Sequence, residues 1–193
     1  MRPEIFPTPT YPEVKKIPYL KEYPKDFGNE AAEKIAVEFF SSMPLCKEVK
    51  RASEYDDKKS GFDLILTLEN GSKIAVDITS SENIKRQRKK ILKIIKNPFV
   101  IEHNNKGEVV DKTKMPLILF VYDKKEWGNS YNSFLNKDTK NPLEKININK
   151  NIERFLFCAI QCLEHEKYYN PLYEEIYNSP LKVLTKYYNL YLH

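Results

Sequence analysis

The sequence predicts an α/β protein: a mixed sheet of four or five strands, flanking helices and a C-terminal helical addition. Three observations favour this class. Apolar residues recur at helical spacing over roughly 30–41, alternate with polar residues as in a strand over most of 47–80, and return to helical spacing near 82. A continuous apolar run over 116–122 is typical of a strand buried on both faces. Helical periodicity returns from about residue 151.

Composition and charge narrow the class further. Of 193 residues, 41% are hydrophobic and 12% aromatic, which excludes disordered, collagen-like and coiled-coil proteins. The net charge of +5 permits a polyanionic partner without requiring one. Three sparse cysteines and an N-terminus without a basic and apolar leader predict a reducing, intracellular (cytoplasmic) setting. No apolar run approaches the ~20 residues that a membrane helix needs, so we expect no membrane partner.

The chain is predicted to have three segments. Residues 1–27 contain six of the 12 prolines and are expected to form an extended arm, which either drapes over the domain or reaches a second subunit. Residues 28–122 are expected to form the α/β core. Residues 123–193 are expected to pack on the same domain, as a polar loop over 123–150 followed by helices. Two or three C-terminal helices are expected, over about 151–166, 171–178 and 180–191.

The elements of the core follow from local signals in order. Asn29 can cap the first helix, and Pro44 marks its end. The alternation of apolar and polar residues then predicts three strands, separated by a polar turn over 55–60 and a second turn at 69–71. The expected elements are helix 30–41, strands 47–52, 62–68 and 72–80, helix 82–96, a hairpin of 99–102 with 108–111, and strand 116–122.

The register of strands 62–68 and 72–80 follows from their apolar positions. Even-numbered residues are apolar in both strands, so one shared face must be buried. Opposed residues of an antiparallel pair point to the same face, so each pair of residue numbers must have an even sum. A two-residue turn gives an odd sum. A three-residue loop, with Gly71 left-handed in a G1 bulge, pairs Leu68 with Ser72 and gives the required register.

In this register two carboxylates, Asp63 and Asp77, face each other. Like charges at Cβ distances of roughly 4.5–5.5 Å repel, so a compensating charge is expected. A divalent cation such as Mg²⁺, or Mn²⁺, would supply it, because hard ions take carboxylate oxygens and keep waters that can be activated for hydrolysis. The alternative is that two solvent-facing aspartates happen to align.

The motifs around these strands carry a resemblance. They are G-x-x-x-A-E-x-x-A-x-x-x-F over 28–40, G-F-D-L-I over 61–65 and I-A-V-D-I-T over 74–79. This pattern resembles the core of the PD-(D/E)XK nuclease superfamily, in its restriction-endonuclease-like, Holliday-junction-resolvase-like branch, where a helix bearing Glu precedes a G-x-D strand and a V-(D/E)-x-K strand. The resemblance covers about 28–122 and implies an αβββαβ core.

The resemblance also implies a metal site. It makes Asp63 the central metal ligand and Asp77 the second acidic ligand, with the Ile78 carbonyl as a further ligand. Glu33 would approach from the first helix, directly or through water. Thr79 stands where the family has a lysine that orients or deprotonates the attacking water, so the catalytic cation is expected elsewhere.

The basic helix 82–96 is the expected source of that cation and of the nucleic-acid contacts. Lys85 is the candidate catalytic cation, with Arg86 and Lys89 as alternatives. We expect Lys85, Arg86, Arg88 and Lys89 to face away from the core and to bind backbone phosphates; the alternative is a solvated helix face. The core stripe of this helix is expected to be Ile84, Ile91, Leu92 and Ile95.

The predicted function is divalent-metal-dependent hydrolysis of DNA phosphodiester bonds, with Glu33, Asp63 and Asp77 holding the ion. One alternative is a catalytically inactive nuclease-fold module that binds nucleic acid or a protein partner; another is a nuclease directed at RNA. The expected partner is nucleic acid, chiefly DNA, and a homodimer is left open. His103, at the end of the hairpin, is expected to be exposed to solvent.

Overall fold

The computed structural model describes residues 27–82 and 84–192 and shows, within them, an α/β fold with a mixed five-stranded sheet. The predicted α/β class with a mixed sheet and the predicted C-terminal helical segment are confirmed, and the predicted arm lies outside the described residues except for Phe27. The elements are α1 (Asn29–Ser41), β1 (Cys46–Arg51), a π-helical turn (Asp56–Ser60), β2 (Leu64–Leu68), β3 (Lys73–Ser80), α2 (Ile84–Lys96), β4 (Phe99–His103), β5 (Val109–Tyr122), α3 (Lys124–Leu135), α4 (Ile148–Tyr169), a 3₁₀ turn (Pro171–Tyr173) and α5 (Glu174–Leu192).

The sheet has the strand order β1-β2-β3-β5-β4. The first three strands form an antiparallel meander, β5 lies parallel to β3, and β4 is antiparallel to β5. Leu64 pairs with Val76, and Gly71 has a φ of 82° in the turn, so the predicted register of β2 and β3 is confirmed from Leu64 to Thr67. The expectation that Phe62 shares the face of Leu64 is wrong, because Phe62 packs in the cluster on the opposite face of the sheet. The predicted strand 116–122 and the second arm of the hairpin are one continuous strand, β5.

The two faces of the sheet are covered differently. The even-numbered side chains of β2 and β3 join the main core, where rings from helices and strands pack together. Phe39 of α1 and Phe120 of β5 stack with their centroids 5.6 Å apart, and Trp127 of α3 lies 6.0 Å from Phe39. The opposite face carries a smaller cluster, to which α2 contributes Ile94. Asp77 and Thr79 have odd numbers and belong to this second face.

The predicted core stripe of α2 is wrong. Ile84 and Leu92 are 60% and 58% exposed, and Ile91 and Ile95 are also exposed. The helix is turned so that Gln87 approaches the end of β3, where its Nε2 donates to two backbone carbonyl oxygens at 2.9 and 3.0 Å. The face of α2 that meets the sheet is therefore partly polar, with Gln87 bound to the Ser80 and Ser81 carbonyls and Lys90 paired with Asp77.

The predicted loop over 123–150 is wrong in its first half, where α3 lies. Asp123 caps this helix by accepting the N–H groups of Lys125 and Glu126, both at 3.0 Å. Trp127 and Tyr131 are four residues apart and fully buried, which anchors the helix on the main core.

The predicted break between two C-terminal helices at about residue 179 is also wrong. Helix α5 continues through Pro180, because buried Tyr177 and Leu184 on either side of it belong to the main core. This packing offsets the lost backbone hydrogen bond. Within the described residues, no helix is both long and apolar enough to cross a membrane.

Candidate active site

A cavity of about 220 Å³ lies where β3 and β5 end, beside the start of α1 and the π-helical turn. Ligand sites of α/β sheets commonly lie outside the carboxyl ends of parallel strands. Three carboxylates line the cavity, from Glu33, Asp57 and Asp63, together with the side chain of Arg86. The structure thus brings together two of the acidic residues singled out in the sequence and adds Asp57, which sequence analysis placed in a polar turn.

Asp63 lies just before β2, and Asp77 lies within β3. The regular β2–β3 register ends at Leu64 opposite Val76, and the Asp63 N–H donates to the Val76 carbonyl at 2.9 Å, so the pairing is irregular at Asp63. Asp63 Oδ2 accepts the Ile78 N–H at 2.6 Å. The side chains of Asp63 and Asp77 are also hydrogen-bonded to each other.

Burial is the main influence on these two carboxyl groups, and it raises the pKa of both. For Asp77, the charge of Lys90 lowers the pKa and the negative charge of Asp63 raises it, and the pKa of Asp77 is raised to about 7. The two groups titrate as a coupled pair.

Lys90 of α2 supplies the compensating positive charge. Its ammonium forms an ion pair with Asp77 Oδ1 and donates to the Ile78 carbonyl at 2.8 Å, and its side chain is 15% exposed. The cation beside the carboxylates is therefore not Lys85. Lys85, Arg88 and Lys89 are exposed on α2 and do not line the cavity.

Glu33 and Thr79 both line the cavity. Glu33 forms an ion pair with Arg51, and its side chain is 21% exposed. Burial raises the pKa of Glu33, and the charge of Asp63 raises it further, whereas the ion pair with Arg51 lowers it and offsets only part of the rise. Thr79 is buried at the end of β3.

The donor chemistry of the cavity fits a hard divalent cation. Its candidate ligands are all oxygen atoms. Burial raises the pKa of Glu33 and Asp63, and neighbouring carboxylates raise both further, namely Asp63 for Glu33 and Asp57 for Asp63, which is repulsion that a cation would relieve. Among residues 27–82 and 84–192, no three His, Cys, Asp or Glu side chains form a ready-made metal centre. Mg²⁺ usually binds through one or two protein carboxylates and keeps several waters, so a partial ligand set suits it. The Ile78 carbonyl oxygen, a predicted metal ligand, accepts a hydrogen bond from the Lys90 ammonium instead.

Comparisons with known proteins add no further assignment. Searches of protein-family models, curated proteins and solved structures give no match. One fold can support many unrelated functions, so function must be argued from the side chains of the site.

Proposed function

We propose that this chain is a divalent-metal-dependent nuclease that hydrolyses DNA phosphodiester bonds with Mg²⁺ or Mn²⁺. The observation that carries this proposal is the cavity at the end of β3, which Glu33, Asp57 and Asp63 line, together with the neighbouring Asp77–Lys90 ion pair. The resemblance to the PD-(D/E)XK superfamily supports the proposal. So does the order α1-β1-β2-β3-α2-β5, which matches the αβββαβ core if β4 is an added strand.

Each residue has a proposed role. Asp63 is the central ligand, and Glu33 and Asp57 complete the oxygen donors that line the cavity. A bound divalent cation would lower the pKa of water and offset negative charge on the phosphate. Lys90 holds a positive charge beside Asp77, where the family's own lysine would otherwise act.

The phosphate backbone is expected to meet the basic side chains of α2. Arg86 lines the cavity, and Lys85, Arg88 and Lys89 are exposed on the same helix. Such contacts position a duplex without reading its sequence. Asp77 and the Ile78 carbonyl become further metal ligands only if Lys90 turns away from them.

One observation favours a second function. The Lys90 ammonium lies between Asp77 and the Ile78 carbonyl, where the resemblance places a metal ion. A lysine that permanently replaces the ion would leave an inactive module that binds nucleic acid or a protein partner. The homodimer stays a prediction.

Cleavage assays separate these functions. We expect wild type to nick supercoiled plasmid or branched DNA with Mg²⁺ or Mn²⁺. Asp63→Asn and Lys90→Gln should each lower the rate by about 10²-fold or more, the range for loss of a group that acts on the developing charge. Lys112→Gln is the matched control, because Lys112 is exposed on β5 and lines neither cavity of this region. A parallel RNA substrate tests the choice of nucleic acid.

The inactive module makes the opposite prediction. Wild type would bind DNA but cleave no substrate, and Mn²⁺ would leave its thermal unfolding unchanged. A nuclease with an intact site should instead gain roughly 2.7 kcal/mol at a hundredfold excess of Mn²⁺ over its Kd. Asp63→Asn should lose most of that gain.

A further inference from the structure

We call the cavity lined by Glu33, Asp57 and Asp63 the carboxylate cavity. A second cavity, of about 320 Å³, shares no lining residue with it, and we call this second one the basic cavity. Its wall is partly apolar, formed by β4, and partly positive. No carboxylate of the described residues lines it, and its volume lies in the range of small-molecule sites, about 300–1,000 Å³. Its polar lining residues are Lys59, Ser60, Lys93, Asn97, His103 and Lys114.

Three lysines give this cavity its charge. Lys59, Lys93 and Lys114 form no ion pair within residues 27–82 and 84–192, and Lys114 lies over the ring of Tyr173, 4.5 Å from its centroid. Positive groups on a concave surface with apolar walls focus the electrostatic potential and attract anions. Lys90, one helical turn before Lys93, differs because a carboxylate neutralises it.

His103 is held in place by a buried carboxylate. Asp56 is fully buried; its Oδ2 accepts the backbone N–H of His103 at 2.8 Å, and its Oδ1 lies 2.7 Å from the ring Nδ1. Asp56 Oδ1 also accepts the Ser60 hydroxyl at 3.3 Å. These contacts fix the ring and leave Nε2 for a ligand. The expectation of an exposed His103 is wrong, since its side chain is 15% exposed.

The π-helical turn and Gly61 shape the cavity. The turn directs Lys59 and Ser60 to the basic cavity and Asp57 to the carboxylate cavity. π-helical segments are rare in proteins, and those that occur are often found at functional sites. Gly61 follows the turn with a φ of 68°, and Lys93 Nζ occupies the space that a Cβ at Gly61 would take. The absence of a side chain there lets the Lys93 ammonium pass over the backbone.

We propose that the basic cavity binds a phosphate monoester group, at the end of a nucleic-acid strand. Ammonium groups and a fixed imidazole suit the three oxygens of a terminal phosphate. The apolar wall can face the attached sugar and base. Choosing a strand end over a free phosphate rests on the proposed nuclease function, because the π-helical turn contributes to both cavities. Recognition of the phosphate itself does not depend on that function.

The test compares one fluorescent single-stranded DNA oligonucleotide in three forms: with a 5′-phosphate, with a 3′-phosphate and with hydroxyl groups at both ends. Fluorescence anisotropy is measured in EDTA, so no cleavage is needed. We expect wild type to bind one phosphorylated form about tenfold more tightly, a difference of about 1.4 kcal/mol. Lys59→Gln with Lys93→Gln should remove this preference, and Lys112→Gln, which makes a single charge change outside the cavity, should keep it. Thermal unfolding checks that each variant folds.

Inorganic phosphate distinguishes the two sources of the ligand. If it stabilises wild type but not the Lys59/Lys93 double variant while all three oligonucleotides bind equally, the phosphate site is supported and the strand end is ruled out. If the oligonucleotides bind equally and inorganic phosphate has no effect, the proposal is overturned. Because the assay contains no divalent metal, either result is independent of whether the protein cleaves DNA.

Discussion

The two cavities on either side of the π-helical turn treat their charges in opposite ways. Beside the carboxylate cavity, burial raises the pKa of Asp63 and Asp77, and Lys90 forms an ion pair with Asp77. In the basic cavity, three lysines lie without a carboxylate partner among the described residues. Burial explains the difference, because a charge removed from water must be paired or neutralised, whereas a charge that water can reach need not be.

Helix α2 shows the same contrast within one turn. Lys90 faces the sheet and is paired, whereas Lys93 passes over Gly61 into the basic cavity. The two side chains are chemically identical and three residues apart. They are therefore a matched pair for measuring what burial does to a lysine.

The largest expected effect on the unfolding free energy comes from removing the charge of Lys90, with Lys93 as the comparison. Lys90→Met should lower the unfolding free energy by about 3 kcal/mol at pH 8 in EDTA, because it leaves the buried Asp63–Asp77 pair with an uncompensated charge. Lys93→Met should change it by no more than about 0.5 kcal/mol. Urea unfolding measures both. At pH 5 the effect of Lys90→Met should shrink, since the pair can take up a second proton. Equal losses for the two variants would contradict the contrast between the cavities.

The carboxylate pair could be predicted from the sequence because its determinants are local. The even-numbered apolar residues of β2 and β3, with the turn at Gly71, fix which residues oppose each other. Lys90 could not be found in this way. The apolar residues of α2 indicate that Ile91 and Leu92 face inward. In the structure both are exposed, and Gln87 contacts the backbone at the end of β3 instead.

The basic cavity had no signal in the sequence. Its residues come from the π-helical turn, α2, β4 and β5, which no hydrophobic period connects. The turn itself was recognised only as polar, so the buried role of Asp56 was missed. Helix α3 is a different case, because its signals are present in the sequence. Asp123 is a suitable N-cap and Trp127 and Tyr131 have helical spacing, but the polar residues around them favour a loop.

The next expected effect is the pH dependence of the unfolding free energy that the raised pKa of Asp77 produces. The pKa of Asp77 is raised to about 7, so between pH ~4, near the pKa of an unfolded aspartate, and pH ~7 the folded protein binds more protons than the unfolded chain. The unfolding free energy should therefore fall as pH rises through this window, by at most about 1.4 kcal/mol per pH unit for one proton. Asp77→Asn should flatten this dependence, because the amide donates to Asp63 in place of the proton and leaves Asp63 and Lys90 as a neutral pair.

Urea unfolding in EDTA at several pH values measures this slope. Asp138→Asn is the control, because Asp138 is exposed after α3 and should keep the wild-type slope. If Asp77→Asn and wild type show the same pH dependence, the carboxyl pair does not hold the extra proton.

The smallest expected effect tests the geometry of the basic cavity without changing any charge. Gly61 and Gly71 have similar φ values, 68° and 82°, so an alanine at either position should lower the unfolding free energy by about 1–2 kcal/mol. Their surroundings differ, because a Cβ at Gly71 meets nothing within 4 Å, whereas one at Gly61 meets the Lys93 ammonium. Gly61→Ala should therefore push Lys93 aside and reduce the preference for a phosphorylated oligonucleotide, while Gly71→Ala should keep it. Anisotropy in EDTA measures the preference, and urea unfolding confirms that the two variants lose similar stability. A Gly61→Ala protein that binds the phosphorylated oligonucleotide as well as Gly71→Ala does would show that Lys93 does not hold the phosphate, leaving Lys59, His103 and Lys114 to account for any binding.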